Sequence, residues 1–227
     1  LYVHGSHVTG FTPKGESPVL WMSEHSEFSA GKPIRGGIPI CFPWFGVHAT
    51  DPSLPSHGLV RLDSWNVEQV EDRGGSVEAR LSTTSSASSA TTRMGEFDVT
   101  ATILVSDKLV VKLEVMNTGS SQLVFTEALH SYFTVSDIRF VTVAGLEGAS
   151  YIDKLLESDK PSLQRGAIQF TAETDRPYLD TAATCVVDDP GMERRIRIEK
   201  NGSNSTVVWN PWINKARRME DFGNDEW

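Results

Sequence analysis

Cysteine is scarce: Cys41 and Cys185 are the two in 227 residues, and neither sits in a C-x-x-C pair of the metal-binding kind. Two are too few for a disulfide framework, and a reduced, cytoplasmic setting is the simplest expectation. Basic residues are the minority, 21 against 30 acidic ones, for a formal net charge of -9. Broad binding to nucleic acid or anionic membrane uses clustered positive charge, and the charge balance argues against it. An anionic ligand must therefore be met by a local arginine site. No run of about 18 uninterrupted apolar residues occurs, and no charged stretch precedes an apolar one at the start, so a soluble protein is expected. No H-x-H followed by a glutamate at strand spacing is present, which argues against a metal site of that kind. Helical periodicity is confined to a possible stretch from Ile213 to Phe222.

What the chain has in quantity is period two. Phe97, Val99, Ala101, Ile103 and Val105 alternate with polar neighbours, and after a turn at Ser106 to Lys108 the pattern resumes at Leu109, Val111, Leu113 and Val115. Such strands are half-buried in packed sheets. Trp65, Val67 and Gln69 face Val77, Ala79 and Leu81 across Gly74-Gly75, a hairpin signature. Strands are also expected over Leu1 to Phe11, Val19 to Ser23, Leu123 to Ala128, Tyr132 to Val135 and Phe140 to Ala144. Later ones fall at Ala167 to Phe170, Ala183 to Val187, Arg195 to Glu199 and Thr206 to Trp209. Ser82 to Thr92, nearly all serine, threonine and alanine, reads as a mobile connector or an exposed edge. The fold class is all-β, two packed antiparallel sheets in one domain over residues 1–227, since 39% hydrophobic content in 227 residues supports a substantial core.

One stretch resists a plain strand reading. Pro33 to Gly46, P-I-R-G-G-I-P-I-C-F-P-W-F-G, breaks an apolar run with Arg35, Gly36 and Gly37 and with prolines that remove backbone donors. Arg35 beside two glycines offers a fork of N–H donors next to backbone able to approach an anion closely; an arginine at a sheet bulge is the structural alternative. Ser56 to Arg61, S-H-G-L-V-R, adds His57 and Arg61 on a second small-residue loop. His130 lies in T-E-A-L-H-S-Y-F, where apolar neighbours should keep it partly dry with a pKa close to neutrality, although a histidine inside a strand is more often a satisfied core residue. His4 and His7, three apart, point to opposite faces of a strand and are assigned structural or surface roles.

With Thr126 to Phe133, these segments resemble the hexose-6-phosphate mutarotases, a branch of the aldose 1-epimerase superfamily. The likeness continues through Y-I-D-K at Tyr151, E-T-D-R-P-Y-L at Glu173, V-W-N-P-W at Val208 and D-F-G-N-D-E-W at Asp221. It implies a large curved β-sandwich with a ligand cleft on the concave face. The implied activity is exchange of the α and β anomers of a hexose 6-phosphate by acid-base ring opening, with no cofactor and no metal.

On the matching positions, the resemblance implies His130 as the acid that protonates the ring oxygen and His57 as a residue orienting the sugar. Arg35 and Arg61 line the substrate pocket and suit a phosphate. Asp175 accepts from sugar hydroxyls, or is an Asx-turn residue before Arg176-Pro177, with Pro177 standing where a β-branched residue is usual. Asp153 reads as a turn or salt-bridge residue. Trp44, where the family often has glutamine, either stacks on a sugar face or fills the core. The base, a glutamate in the family, is expected in a strand beyond Trp227, since Asp225 and Glu226 match surface positions. Both ends of the chain look cut, with native residues expected before Leu1 and after Trp227. Expected partners are the sugar phosphate alone, with no nucleic acid or membrane, on a monomer. A sugar-phosphate or carbohydrate-binding protein without the base is the alternative.

Overall fold

The computed structural model describes residues 1–87, 95–158, 160–223 and 225–227. The chain folds as two compact units, Leu1–Thr134 and Val135–Trp227. Strand pairing within every sheet is antiparallel. The all-β expectation holds.

In the first unit, β1 (Ile40–Cys41) precedes β2 (Asn66–Asp72), β3 (Val77–Thr84), β4 (Phe97–Val105), β5 (Leu109–Asn117) and β6 (Ala128–Leu129). The four long strands form a meander in the order β2-β3-β4-β5, while β1 and β6 pair with each other. The period-two pattern works as expected: Phe97, Val99, Ala101 and Ile103 are buried on one face of β4 and meet Ala79 and Leu81 of β3. Against that face pack Ile38, Ile40, Phe42, Val60 and Trp65. Burying a side chain of this size contributes about 1.5–3 kcal/mol, so this cluster is what holds the Pro33 to Gly46 stretch down on the sheet.

Three expectations need correction in this unit. Leu1 to Phe11 is not one strand: Tyr2 and His7 exchange backbone hydrogen bonds of 2.9 Å each, closing a tight loop through Gly5 and Ser6. Val19 to Ser23 makes isolated bridges, Leu20 with Phe133 and Met22 with Gly36, and of Leu123 to Ala128 the last residue alone is in a strand, as the start of β6. Ser82–Thr84 is the end of β3, paired with β4 rather than exposed as an edge, and the Ser85 hydroxyl accepts from Phe97 N–H. The part of that segment over 88–92 lies outside the described residues. On β2 the register shifts between Val67 and Gln69, a bulge that leaves this edge strand exposed along its length.

The second unit holds β7 (Thr142–Ala144), β8 (Ser150–Tyr151), β9 (Ser162–Leu163), β10 (Ile168–Gln169), β11 (Thr174–Leu179), β12 (Cys185–Asp189), β13 (Arg194–Ile198) and β14 (Thr206–Asn210). Two sheets, β10-β7-β12-β13 and β14-β11-β8-β9, contribute Val143, Ile168, Cys185 and Val187 from one and Tyr178 and Val208 from the other to one core. A short helix, α1 (Trp212–Ala216), is all that forms of the expected helix to Phe222. The backbone of β11 runs straight through Pro177, which lies opposite Val207. It has no N–H to give to the ladder, and its carbonyl accepts from Ile152 N–H at 3.1 Å.

Candidate active site

The Pro33 to Gly46 stretch becomes a backbone spine in the first unit. Ile40 and Cys41 pair with Leu129 and Ala128, and the pairing continues outward as His130 N–H to Pro39 O at 3.1 Å and Tyr132 N–H to Gly37 O at 2.9 Å. On the other side Phe42 bridges Gly58, and its carbonyl accepts from Leu59 and Val60 N–H at 2.9 and 3.3 Å. Two segments distant in sequence, one carrying His57 with Arg61 and the other His130 with Tyr132, are thereby fixed to the short strand that follows Arg35.

The His57 and His130 rings lie 6.2 Å apart, edge to face at 85°. His57 sits at φ 65, a left-handed conformation, and clasps Gly46 twice: its N–H donates to Gly46 O at 2.7 Å, and its Nδ1 accepts from Gly46 N–H at 3.1 Å. An Nδ1 that accepts leaves the proton of the neutral ring on Nε2. His57 is thus presented as an Nε2–H donor, and its backbone bond runs across the loop to residue 46. His130 lies stacked on Tyr132, centroids 4.4 Å apart at 18°.

Both imidazoles are hard to charge. Burial first, then the charges of Arg61 and Arg35, push His57 down to about 4. For His130 the causes are burial, then His57, Arg35 and Arg61, and the result is again about 4. Burial before all, with the His57, Arg35 and Arg61 charges added to it, takes His130 below the near-neutral pKa expected of it.

Arg35 and Arg61 both lie beside this pair and both are half-buried. Arg35 Nη1 donates to the Tyr132 hydroxyl at 2.7 Å, and its N–H donates to Ser26 Oγ at 2.8 Å. Arg61, on a single 3-10 turn at Val60–Leu62, donates through Nη2 to Ser56 O at 2.6 Å. The glycines after Arg35 do something other than admit a ligand. A Cβ on Gly36 would stand 2.5 Å from Trp21 O, and one on Gly37 would stand 2.2 Å from Val8 O. Protein backbone fills the space that the sequence reading reserved for an anion.

Trp44 is 5% exposed and spends its indole N–H on Pro55 O at 3.0 Å, which makes it a packing residue. Cys41 is buried on β1, its thiol pushed up to about 12 by burial. In the second unit Asp175 lies within β11 opposite Trp209, so the Asx-turn alternative does not hold. Its carboxyl is raised by burial, against the lowering pull of Lys215 and Lys154. Asp153 is the ion-pair residue expected, holding Arg176 Nε at 3.1 Å, and its Oδ1 accepts from Leu155 N–H at 3.1 Å. Among the described residues, no group of three His, Cys, Asp or Glu side chains could hold a metal. Two open surface hollows, one along Pro13, Asp72 and Val105 and one along Asp188 to Arg195, contain none of the site residues.

Tyr132 is the residue the sequence reading missed. Its signal was available: it stands two positions after His130 in H-S-Y-F, the spacing that puts both side chains on one side of an extended chain.

Comparison with known proteins adds to this arrangement. The family model described as aldose 1-epimerase matches residues 1–227. A Salmonella typhimurium protein named as a candidate glucose-6-phosphate 1-epimerase is 34% identical over 223 residues, 98% of this chain and 74% of that protein. An Escherichia coli protein with the same name is 32% identical over 223 residues, again 98% and 74%. The crystal structure of the candidate mutarotase YeaD from Salmonella typhimurium matches with a TM-score of 0.90 at 33% identity, covering 99% of this chain and 74% of that one. A galactose mutarotase-like protein from Lactobacillus casei, 15% identical with a TM-score of 0.73 over 95% of this chain and 80% of its own, shares the fold. With a family model matched from end to end and relatives at this identity, the chain belongs to the aldose 1-epimerase family.

Proposed function

We propose that this protein is a mutarotase that interconverts the α and β anomers of hexose 6-phosphates such as glucose 6-phosphate. The observation that carries the reading is the histidine pair, rings 6.2 Å apart, with Arg35 and Arg61 beside it. Names of relatives in both Salmonella typhimurium and Escherichia coli point to the same substrate.

Mutarotation is a proton-transfer problem. The ring oxygen gains a proton, the anomeric hydroxyl loses one, the C1–O5 bond opens to an aldehyde, and the ring recloses on the other face. His130 gives the proton to the ring oxygen, while His57, fixed as an Nε2–H donor, orients the sugar. Arg35 and Arg61 take the phosphate, whose two negative charges suit guanidinium forks. Phosphate binding also prepares the acid: neutralising the two arginines removes charges that hold His130 down and lifts its pKa toward the working range. On the resemblance alone, Asp175 accepts from sugar hydroxyls, and the base is a carboxylate, a glutamate in the family.

Exchange NMR of the glucose 6-phosphate anomers tests the reading. Exchange above the buffer rate, reduced on the order of 100-fold in His130→Ala, is the expected result, that being the scale for losing a general acid. Buffer-rate exchange with a broadened phosphate signal would leave a binding protein instead.

A further inference from the structure

Tyr132 has no role in the chemistry above, yet it touches two residues that do. Its hydroxyl accepts from Arg35 Nη1 at 2.7 Å, and its ring lies 4.4 Å from the His130 imidazole at 18°. Register fixes both contacts. Residues 130 and 132 bond in turn to Pro39 O and Gly37 O, and the Tyr132 carbonyl accepts from Trp21 N–H at 3.1 Å. The Trp21 ring, 5.7 Å away at 38°, packs against the same phenol.

Two physical effects meet on this ring. An arginine loses much rotamer freedom when its fork is held in one orientation, and the phenol takes that loss before a ligand arrives. A π face also favours a cation laid on it, which here is the imidazolium form of His130. A positive guanidinium bonded to the phenol oxygen draws electron density from that face. An anion on Arg35 restores it.

We propose that Tyr132 is a positioning residue that couples anion binding at Arg35 to protonation of His130. The inference rests on the mutarotase reading for the roles of the two residues it joins. Its consequence is that a phosphorylated sugar is a better substrate partly because its own phosphate readies the acid.

The test follows the His130 ring by NMR in the full chain, titrating pH with and without saturating inorganic phosphate, in wild type, Tyr132→Phe and Tyr132→Leu. Phosphate is expected to raise the His130 pKa in wild type. Tyr132→Phe, which keeps the ring and loses the hydroxyl, is expected to cut that response, and Tyr132→Leu to cut it to what the direct charges of Arg35 and Arg61 supply. Melting temperatures of the variants separate coupling from loss of fold, and Tyr132→Phe retains the packing. The ratio of kcat/KM for glucose 6-phosphate over glucose is expected to fall about 10-fold in Tyr132→Phe, the scale of one hydrogen bond to a charged group. A purely structural role would lower both substrates together. An unmoved ratio, an equal phosphate response in wild type and Tyr132→Phe, or no response in wild type overturns the proposal. Wild type that shows the phosphate response but no anomer exchange would sink the mutarotase reading and leave the coupling standing.

Discussion

His7 is where pH reaches the arginine loop. Its side chain is 1% exposed, and its Nε2 lies 2.8 Å from the Gly36 carbonyl, one residue past Arg35. Burial disfavours the imidazolium more than that hydrogen bond favours it, so its pKa is lowered from 6.5 to about 4. Between these values the unfolded chain binds more protons than the folded one, so stability falls as pH falls. The contribution is complete above the unfolded value and is lost as pH drops toward about 4. At about 1.4 kcal/mol per pKa unit the deficit reaches about 2 kcal/mol at pH 5 and levels off near 3 kcal/mol below the folded value. Urea unfolding of wild type and His7→Gln at about pH 7.5 and pH 5 measures it, since glutamine can keep a donor toward Gly36 without titrating. His57 and His130 add pH dependence of the same sign to both proteins, so the quantity that matters is the difference between them. The variant should lose about 2 kcal/mol less than wild type over that interval. Parallel pH dependence in the two proteins would refute the argument that the buried imidazole is neutral.

Replacing Arg35 and Arg61 together by alanine should abolish the preference for glucose 6-phosphate over glucose in exchange NMR; a preference that survives would mean that the phosphate is held elsewhere. The same double change removes two lowering charges from His130, so its NMR-measured pKa should rise from about 4, and a fall would contradict the assigned cause. Gly37→Ala drives a Cβ to 2.2 Å from Val8 O, whereas Gly148→Ala, at a similar positive φ, meets nothing within 4 Å. The second should cost about 1–2 kcal/mol of backbone strain and the first clearly more, a difference readable in urea midpoints. Trp44→Phe should cost about 1 kcal/mol by losing the bond to Pro55 and leave anomer exchange within about twofold; a large loss of exchange would restore a sugar-stacking role for the indole.

The long strands were legible because their signals are local. Alternation over nine residues in β4, and the turn where Arg73 N–H reaches Ser76 O at 2.8 Å across Gly74-Gly75, are written in consecutive positions. The pieces that build the site were harder. Strands β1 and β6 have two residues each, too few to show any period, and their partners lie far away in sequence. Arg35, His57, Arg61 and His130 could be singled out as unusual residues in unusual loops. That a single spine joins them could not be read, since it depends on carbonyls of Pro39, Phe42 and Gly46. The low His130 pKa was hidden for the same reason: its causes are the depth of its burial first and then charges on other loops.

Glycine explains how a site of this kind can stand on strands so short. A two-residue ladder has little register of its own, and catalysis needs side chains held to within about 0.5 Å. Here the precision comes from close backbone approach. Gly36 lies against Trp21, Gly37 against Val8 and Gly58 against Phe42, where a Cβ would stand 2.5, 2.2 and 2.1 Å from the facing carbonyl oxygens. All three have positive φ. Each contact tolerates no other residue without moving a chain, so each pins one loop against its neighbour: the Arg35 loop twice, the His57 loop once. The glycines that looked in the sequence like room for a ligand are better understood as the fixings that let Arg35 and His57 keep their places beside His130.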